Sequence, residues 1–210
     1  MIKWIFFDIG STLVNEDECH KRRFDLIEDE MIAKFGRRLS YEDEILPLAY
    51  EGAAMRTSPI GYAAKRLGIT FPPYPREFEE LYPDTIPALE ALSKSYKLGV
   101  IANQPKGLEG ILGGFGIAKY FDIIAGSDDV GIPKPDERIF SHALDRAGCA
   151  PFEALMVGDR FDNDIIPAKA LGMRTARIKR GFFATDHARD ESEKTDIEID
   201  DTSELLKLIL

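Results

Sequence analysis

Asp8, Asn103 and Asp159 each follow a short apolar run, and Lys134 lies between the second and third of them in the chain. Asp159 opens the segment Asp159-Arg160-Phe161-Asp162-Asn163-Asp164, which places three carboxylates within six residues. Carboxylates so crowded repel one another unless a cation compensates, and hard oxygen donors suit Mg²⁺. Taken alone, the cluster is equally well explained by helix capping through Asp162 or Asn163. Asp8 at a matching strand end moves the balance towards a metal site. Lys134 alone reads as an ordinary solvated loop lysine, and its segment is a fourth that would converge on the same edge.

Such residues need elements that bring them to one edge. Ile2 to Phe7 is an apolar, aromatic-rich run stopped by Asp8, Gly10 and Ser11, which predicts a buried strand feeding a loop. From Asn15 to Tyr82 the character is helical. Phe24, Ile27, Met31, Ile32 and Phe35 recur at three- and four-residue steps before Gly36, and Tyr41 to Arg56 and Pro59 to Leu67 read as further helices. The prolines from Pro72 to Pro75, with Pro83 and Pro87, mark a boundary or hinge. Strands then alternate with helices. Strands are predicted at Lys97 to Ala102, Phe121 to Ala125, Ala154 to Val157 and Arg174 to Ile178, with a short one at Asp196 to Ile199. Helices are predicted at Thr85 to Ser95, Glu137 to Ala147 and Asp164 to Leu171. This rhythm implies an α/β fold, a parallel sheet covered on both faces, with ligands bound beyond the carboxyl ends of its strands.

Composition narrows the function classes. With 210 residues there is room for one elaborated domain or a core carrying a smaller insertion. Lys plus Arg number 27 and Asp plus Glu 37, a net charge of −10 that argues against nucleic-acid and membrane partners. The apolar runs fall far short of the roughly twenty residues of a membrane span. The N-terminal residues show no export pattern, so no export signal is expected, and Cys19 and Cys149 stand apart from any C-x-x-C or metal-type spacing. A cytoplasmic location is expected. Gly126 to Gly131 has the spacing of a phosphate loop, but Ile132 stands where the lysine should be. The charged run Asp186 to Lys194 reads as a solvated loop.

Four segments together resemble the motifs of the haloacid dehalogenase-like hydrolase superfamily, and the resemblance covers nearly the whole chain. They are Phe6-Phe7-Asp8-Ile9-Gly10-Ser11-Thr12-Leu13, Gly99-Val100-Ile101-Ala102-Asn103, Gly131-Ile132-Pro133-Lys134-Pro135-Asp136, and Val157-Gly158-Asp159 through Asp164. The resemblance implies a Rossmann-like core formed by residues 1–14 and 83–210, with an inserted all-helical cap at residues 15–82. It also implies a Mg²⁺-dependent phosphatase of a small phosphorylated compound, with Asp8 attacking phosphorus to form an aspartyl phosphate. Asp8, the backbone carbonyl of Gly10, Asp159 and Asp164 would hold Mg²⁺, Asp164 through water. Thr12, Asn103 and Lys134 would bind the phosphoryl group, with Thr12 and Lys134 assisting catalysis.

Two positions depart from the family pattern. Gly10 stands where family phosphatases usually carry a second Asp, a general acid whose loss costs roughly 10²- to 10⁴-fold. Ala102 stands where Ser or Thr is more usual. The departures allow a slow phosphatase or a phospho-ligand-binding protein of the same fold. His20 is the best-placed histidine to replace the acid, with Glu16 and Asp17 as weaker candidates. The intact fourth motif argues against carbon–halogen chemistry, and none of Lys21, Lys34 and Lys65 has the distinctive context of a Schiff-base lysine.

Overall fold

The computed structural model describes residues 1–209, so Leu210, the last position of the expected core, lies outside the described residues. The chain divides into two compact units. One comprises Met1–Val14, Leu81–Arg180 and the chain from His187 onward; the other comprises Asn15–Glu80 and Gly181–Asp186.

The first unit is built on β1 (Trp4–Phe7), β2 (Lys97–Ala102), β3 (Ile123–Gly126), β4 (Ala154–Gly158), β5 (Arg174–Ile178) and β6 (Ile197–Ile199). All are parallel in one sheet of order β3-β2-β1-β4-β5-β6. Alternation along each strand divides the side chains between two apolar layers. Ile5, Phe7, Leu98, Val100, Leu155 and Val157 lie in one, and Phe6, Ile101 and Met156 in the other. Gly99 is required by this packing, because a Cβ there would sit 2.5 Å from the Phe6 ring.

In chain order the helices are α1 (Asp17–Phe35), α2 (Leu46–Ala54), α3 (Pro59–Leu67), α4 (Thr85–Leu92), α5 (Leu108–Gly114), α6 (Ser127–Val130), α7 (Glu137–Ala147), α8 (Ile166–Ala170) and α9 (Thr202–Ile209). Leu89 and Leu92 of α4, Leu108 and Leu112 of α5 and Leu205 of α9 pack on the first layer. Ile139, Phe140, Ala143 and Leu144 of α7 pack on the second with Ala168 of α8. Asp136 caps α7, accepting from the Arg138 N–H at 2.9 Å, and Gly148 ends it in the left-handed conformation. The expected Rossmann-like α/β architecture is therefore observed. The short α6 and the terminal α9 were not among the expected elements.

The second unit joins α1, α2 and α3 around Phe24, Ile27, Met31, Ile45, Ala49 and Ile60. The stretch expected as one helix from Tyr41 to Arg56 instead opens with a wide turn, Tyr41–Ile45, in which the Leu46 N–H donates to the Tyr41 carbonyl. Pro47 follows and has no N–H to donate, so the α-helical ladder starts only beyond this turn. Gly52 lets α2 and α3 approach, since a Cβ there would lie 2.6 Å from the Tyr62 Cβ. The segment Gly181–Asp186 belongs to this unit. The Phe182 ring packs on Phe24, Tyr50 and His20 at 6.0, 5.6 and 5.0 Å, and Asp186 pairs with Arg56 at 3.0 Å. Among the described residues, no helix is long and apolar enough to cross a membrane.

Gly99→Ala should destabilise the protein by about 1–3 kcal/mol through overpacking against Phe6. Gly110→Ala, within α5 and with open space around the added methyl, should be neutral or stabilise by roughly 0.5–1 kcal/mol. Thermal denaturation of the two variants checks both signs.

Candidate active site

Asp8 is the first residue beyond β1 and continues its ladder, its N–H donating to the Val157 carbonyl at 2.9 Å. Asp159 is the first residue beyond the adjacent β4. Successive strands add to one side of β1 as far as β3 and then resume on the other side at β4. The carboxyl ends of β1 and β4 thus flank the switch point at which a doubly wound sheet opens a crevice. Asp164 returns to this edge through the wide turn Phe161–Ile165. Its N–H donates to the Arg160 carbonyl at 3.0 Å, and its Oδ2 accepts from the Arg160 N–H at 3.1 Å. Gly158 makes room for it, because a Cβ there would lie 2.4 Å from the Asp164 Cγ.

Asp8, Asp159 and Asp164 each offer an oxygen within 4.8 Å of the others'. Lys134, 5% exposed, reaches into this group and donates from Nζ to Asp8 Oδ1 at 2.6 Å and to Asp164 Oδ1 at 2.5 Å. Asn103 holds Lys134 from behind: its Nδ2 donates to the Lys134 carbonyl at 2.9 Å, and its Oδ1 accepts the Lys134 N–H at 2.7 Å. Both polar ends of the Asn103 side chain are therefore occupied, which makes it a positioning group for Lys134. Asp162 lies apart from the cluster of three carboxylates and pairs with the Arg160 guanidinium at 2.6 Å. Neither the wide turn nor α8 has a side-chain cap, so the capping alternative for the acidic segment is not realised.

The loop after β1 is knotted by its own backbone. The Ile9 carbonyl accepts the N–H groups of Leu13 and Val14, both at 2.9 Å, while the Ser11 N–H donates to the Val14 carbonyl at 2.8 Å. Ser11 takes the left-handed conformation, φ 52°. Arg180 satisfies the Thr12 carbonyl at 2.8 Å, and the Thr85 hydroxyl that of Leu13 at 2.7 Å. The Gly10 carbonyl has no hydrogen-bond donor among the described residues. Thr12 is fully buried, and its Oγ1 has no partner among the described residues. An unpaired buried hydroxyl costs about 1–3 kcal/mol. An incoming acceptor would relieve that cost.

The charges are unbalanced, three carboxylates against one ammonium. Burial pushes Asp159 well above the ordinary carboxylate range, and Asp164 and Asp8 push it further. Burial likewise raises Asp164 to about 6, although Lys134 pulls against it. Burial would lower Lys134, but Asp164 and Asp8 outweigh it and hold the ammonium above its ordinary value. All the candidate ligands are hard oxygens, and their excess negative charge is what a divalent cation neutralises; the donor set fits Mg²⁺.

Beneath the cluster lies Arg177, 1% exposed, which the sequence reading missed. Its guanidinium sits 4.4 Å from the centre of the Phe161 ring, and its Nε donates to the Asp159 carbonyl at 3.4 Å. A charge between Ala176 and Ile178 in an expected strand was the available signal. His20 lies in the helical unit, where burial, then the Arg23 charge, lower it to about 4. At neutral pH it is a neutral imidazole and has no imidazolium proton to give. Glu16 accepts a hydrogen bond from the Tyr74 hydroxyl at 2.6 Å.

Two outcomes follow from this electrostatic arrangement. Because the Asp164 carboxyl is raised to about 6, its contribution to stability is full below its unfolded-state value and is lost as pH rises through about 6. A divalent cation requires the ionised form. The increase in melting temperature produced by Mg²⁺ should therefore be larger at pH 7 than at pH 5, as differential scanning fluorimetry can show. Gly158→Ala should displace Asp164 and weaken Mg²⁺ binding by roughly 10- to 100-fold in calorimetric titration.

Residues 5–178 match the family described as haloacid dehalogenase-like hydrolase. A glyceraldehyde 3-phosphate phosphatase of Methanopyrus kandleri is 38% identical over 131 residues, which cover 61% of this chain and 56% of the relative. A phosphoserine phosphatase of Thermus thermophilus is 35% identical over 127 residues, or 60% of this chain and 49% of the relative. The chain thus spans about half the length of the curated relatives it matches. A haloacid dehalogenase-like phosphatase structure from Thermococcus onnurineus aligns with a TM-score of 0.70 and 29% identity, covering 100% of this chain and 98% of that one. The parallel sheet, the carboxylate cluster at its switch point and these matches lead to one conclusion: the chain belongs to the haloacid dehalogenase-like hydrolase family.

Proposed function

We propose that the protein is a Mg²⁺-dependent phosphatase of a small phosphorylated compound, with Asp8 as the nucleophile. The observation that carries this reading is Lys134 Nζ bridging Asp8 and Asp164 inside a cluster of three carboxylates at the switch point. The names of the relatives support the substrate class, since glyceraldehyde 3-phosphate and phosphoserine are both small phosphate monoesters. Asp8, the Gly10 carbonyl and Asp159 would hold Mg²⁺ directly and Asp164 through water. Bound there, the ion would supply positive charge to offset repulsion between the carboxylate and the phosphate oxygens.

In the first half-reaction an Asp8 carboxylate oxygen forms a bond to phosphorus while the bond from phosphorus to the ester oxygen breaks. Lys134 orients the attacking carboxylate through its hydrogen bond to Asp8 Oδ1, and its ammonium balances charge on the transferring group. The buried Thr12 hydroxyl, free of internal partners, donates to a phosphoryl oxygen. The departing alkoxide takes its proton from solvent, because Gly10 has no acidic side chain. In the second half-reaction water attacks phosphorus and releases inorganic phosphate and the Asp8 carboxylate. The absent acid would also have activated this water, so both halves are slowed and the aspartyl phosphate persists.

The testing experiment compares p-nitrophenyl phosphate with an alkyl phosphate, in Mg²⁺ or EDTA, for the wild type and Asp8→Asn. Turnover should require Mg²⁺, fall by roughly 10³-fold or more in Asp8→Asn, and favour the nitrophenyl ester, whose leaving group needs no acid. Turnover unaffected by Asp8→Asn would refute the nucleophile. Absence of turnover with intact Mg²⁺ and phosphate-analogue binding would instead favour a phospho-ligand-binding protein or a substrate class outside these two esters.

A further inference from the structure

The residues placed in the reaction leave one partly buried ionic network unexplained. Arg180, two residues beyond β5, donates from Nη1 to the Thr12 carbonyl at 2.8 Å and from Nη2 to both Asp84 oxygens at 2.7 Å. Its guanidinium lies 3.9 Å from the centre of the Tyr82 ring. Asp84 also accepts the Thr202 N–H at 2.7 Å and the Thr202 hydroxyl. The side chains of Arg180 and Asp84 are only 10% and 19% exposed. Burial by itself would raise the Asp84 carboxyl, but the Thr202 hydroxyl and Arg180 outweigh it and hold it below the ordinary value.

A fixed ion pair of this kind is costly to desolvate, and a hydrophobic replacement is often as stable. What sets this pair apart is its third partner. The Thr12 carbonyl belongs to the loop that carries Asp8 and Gly10, and no other donor to it is present among the described residues. The neighbouring Leu13 carbonyl is held from the same side, by the Tyr82 N–H at 3.1 Å and the Thr85 hydroxyl at 2.7 Å. Thr12, Tyr82 and Asp84 also stand close in sequence to two of the four points at which the chain passes between its two units, Val14 and Leu81, and Arg180 is itself at a third.

We propose that Arg180 is a positioning residue of the reaction: anchored by Asp84 and Tyr82, it fixes the Thr12 carbonyl and thereby the conformation of the whole loop from Asp8 to Val14. The Gly10 carbonyl and the Thr12 hydroxyl are left unbonded by the loop's own hydrogen bonds, and this external anchor keeps them so. The guanidinium is needed for its fork. It serves a carbonyl and a carboxylate at once while lying flat on a ring, which a lysine ammonium does not reproduce. The role in turnover rests on the phosphatase reading; the role in ordering the loop does not.

The test uses the full chain with Arg180→Ala, Arg180→Lys and Asp84→Asn, read first without substrate by amide hydrogen exchange. The Leu13 and Val14 amides, both bonded to the Ile9 carbonyl, should exchange on the order of tenfold faster or more in Arg180→Ala, while the Phe6 amide in β1 keeps its protection. Mg²⁺ affinity measured by calorimetry should weaken roughly tenfold. Added ethylguanidinium should restore both in Arg180→Ala, which a general loss of packing would not permit. Arg180→Lys should fall between wild type and Arg180→Ala. Unchanged Leu13 and Val14 exchange and unchanged Mg²⁺ affinity in a folded Arg180→Ala protein would overturn the proposal. Should that variant not fold, Asp84→Asn decides, because it loosens Arg180 without removing it: the same local loss supports the proposal, and wild-type exchange and affinity overturn it. Wild type without phosphatase turnover would count against the phosphatase reading alone, since the exchange and affinity measurements do not require substrate.

Discussion

Mutual repulsion among Asp8, Asp159 and Asp164 is the constraint around which the candidate site is organised. Two of the three carboxylates are almost fully buried, and only one ammonium, that of Lys134, donates to the group. Such an arrangement is unfavourable in isolation. Much of the surrounding structure is there to hold it: Asn103 grips the Lys134 backbone, the Arg160 N–H donates to Asp164, and Arg177 supports the Asp159 carbonyl from below. The parallel sheet makes the crowding possible. Its strands are buried on both faces, so polar groups collect at their carboxyl ends, and the switch in strand order opens a crevice there.

The loop beyond β1 is governed by backbone accounting. The carbonyls of Ile9, Thr12, Leu13 and Val14 all accept hydrogen bonds, from donors in the loop or from Tyr82, Thr85 and Arg180. The Gly10 carbonyl has no donor among the described residues and is available as a ligand. Gly10 can therefore contribute to metal binding through its backbone while contributing nothing to proton transfer. In a phosphatase this separates two functions that an aspartate would combine, and it lengthens the life of a covalent intermediate.

Much of this was legible in the sequence. Strand positions followed from apolar runs such as Trp4–Phe7 and Lys97–Ala102, the candidates Asp8, Asp159 and Asp164 from strand ends and a crowded acidic segment, and Lys134 from the motif resemblance. Those signals are local. What escaped depends on partners distant in sequence. Asn103 was expected to meet the phosphoryl group through its backbone N–H; that its side chain holds the Lys134 backbone is a pairing that a strand-end position does not reveal. Arg180 carries no sequence mark linking it to Thr12 and Asp84. The attachment of Gly181–Asp186 to the helical unit includes an aromatic ring and an ion pair, too little pattern to read from composition. The wide turns before α2 and α8 were hidden for another reason. Apolar periodicity registers a helical stretch but not the local change in hydrogen bonding around Pro47 and Pro167.

The central claim is that Asp8 becomes covalently phosphorylated. Its most direct test is to quench the protein during reaction with a phosphoryl donor, reduce acyl phosphates with borohydride, and locate the product by peptide mass spectrometry. The account predicts conversion of Asp8 to homoserine, dependent on Mg²⁺ and readily detected because the intermediate is slow to hydrolyse. Phosphate release with Asp8 unmodified, or with the reduction product at another carboxylate, would contradict it.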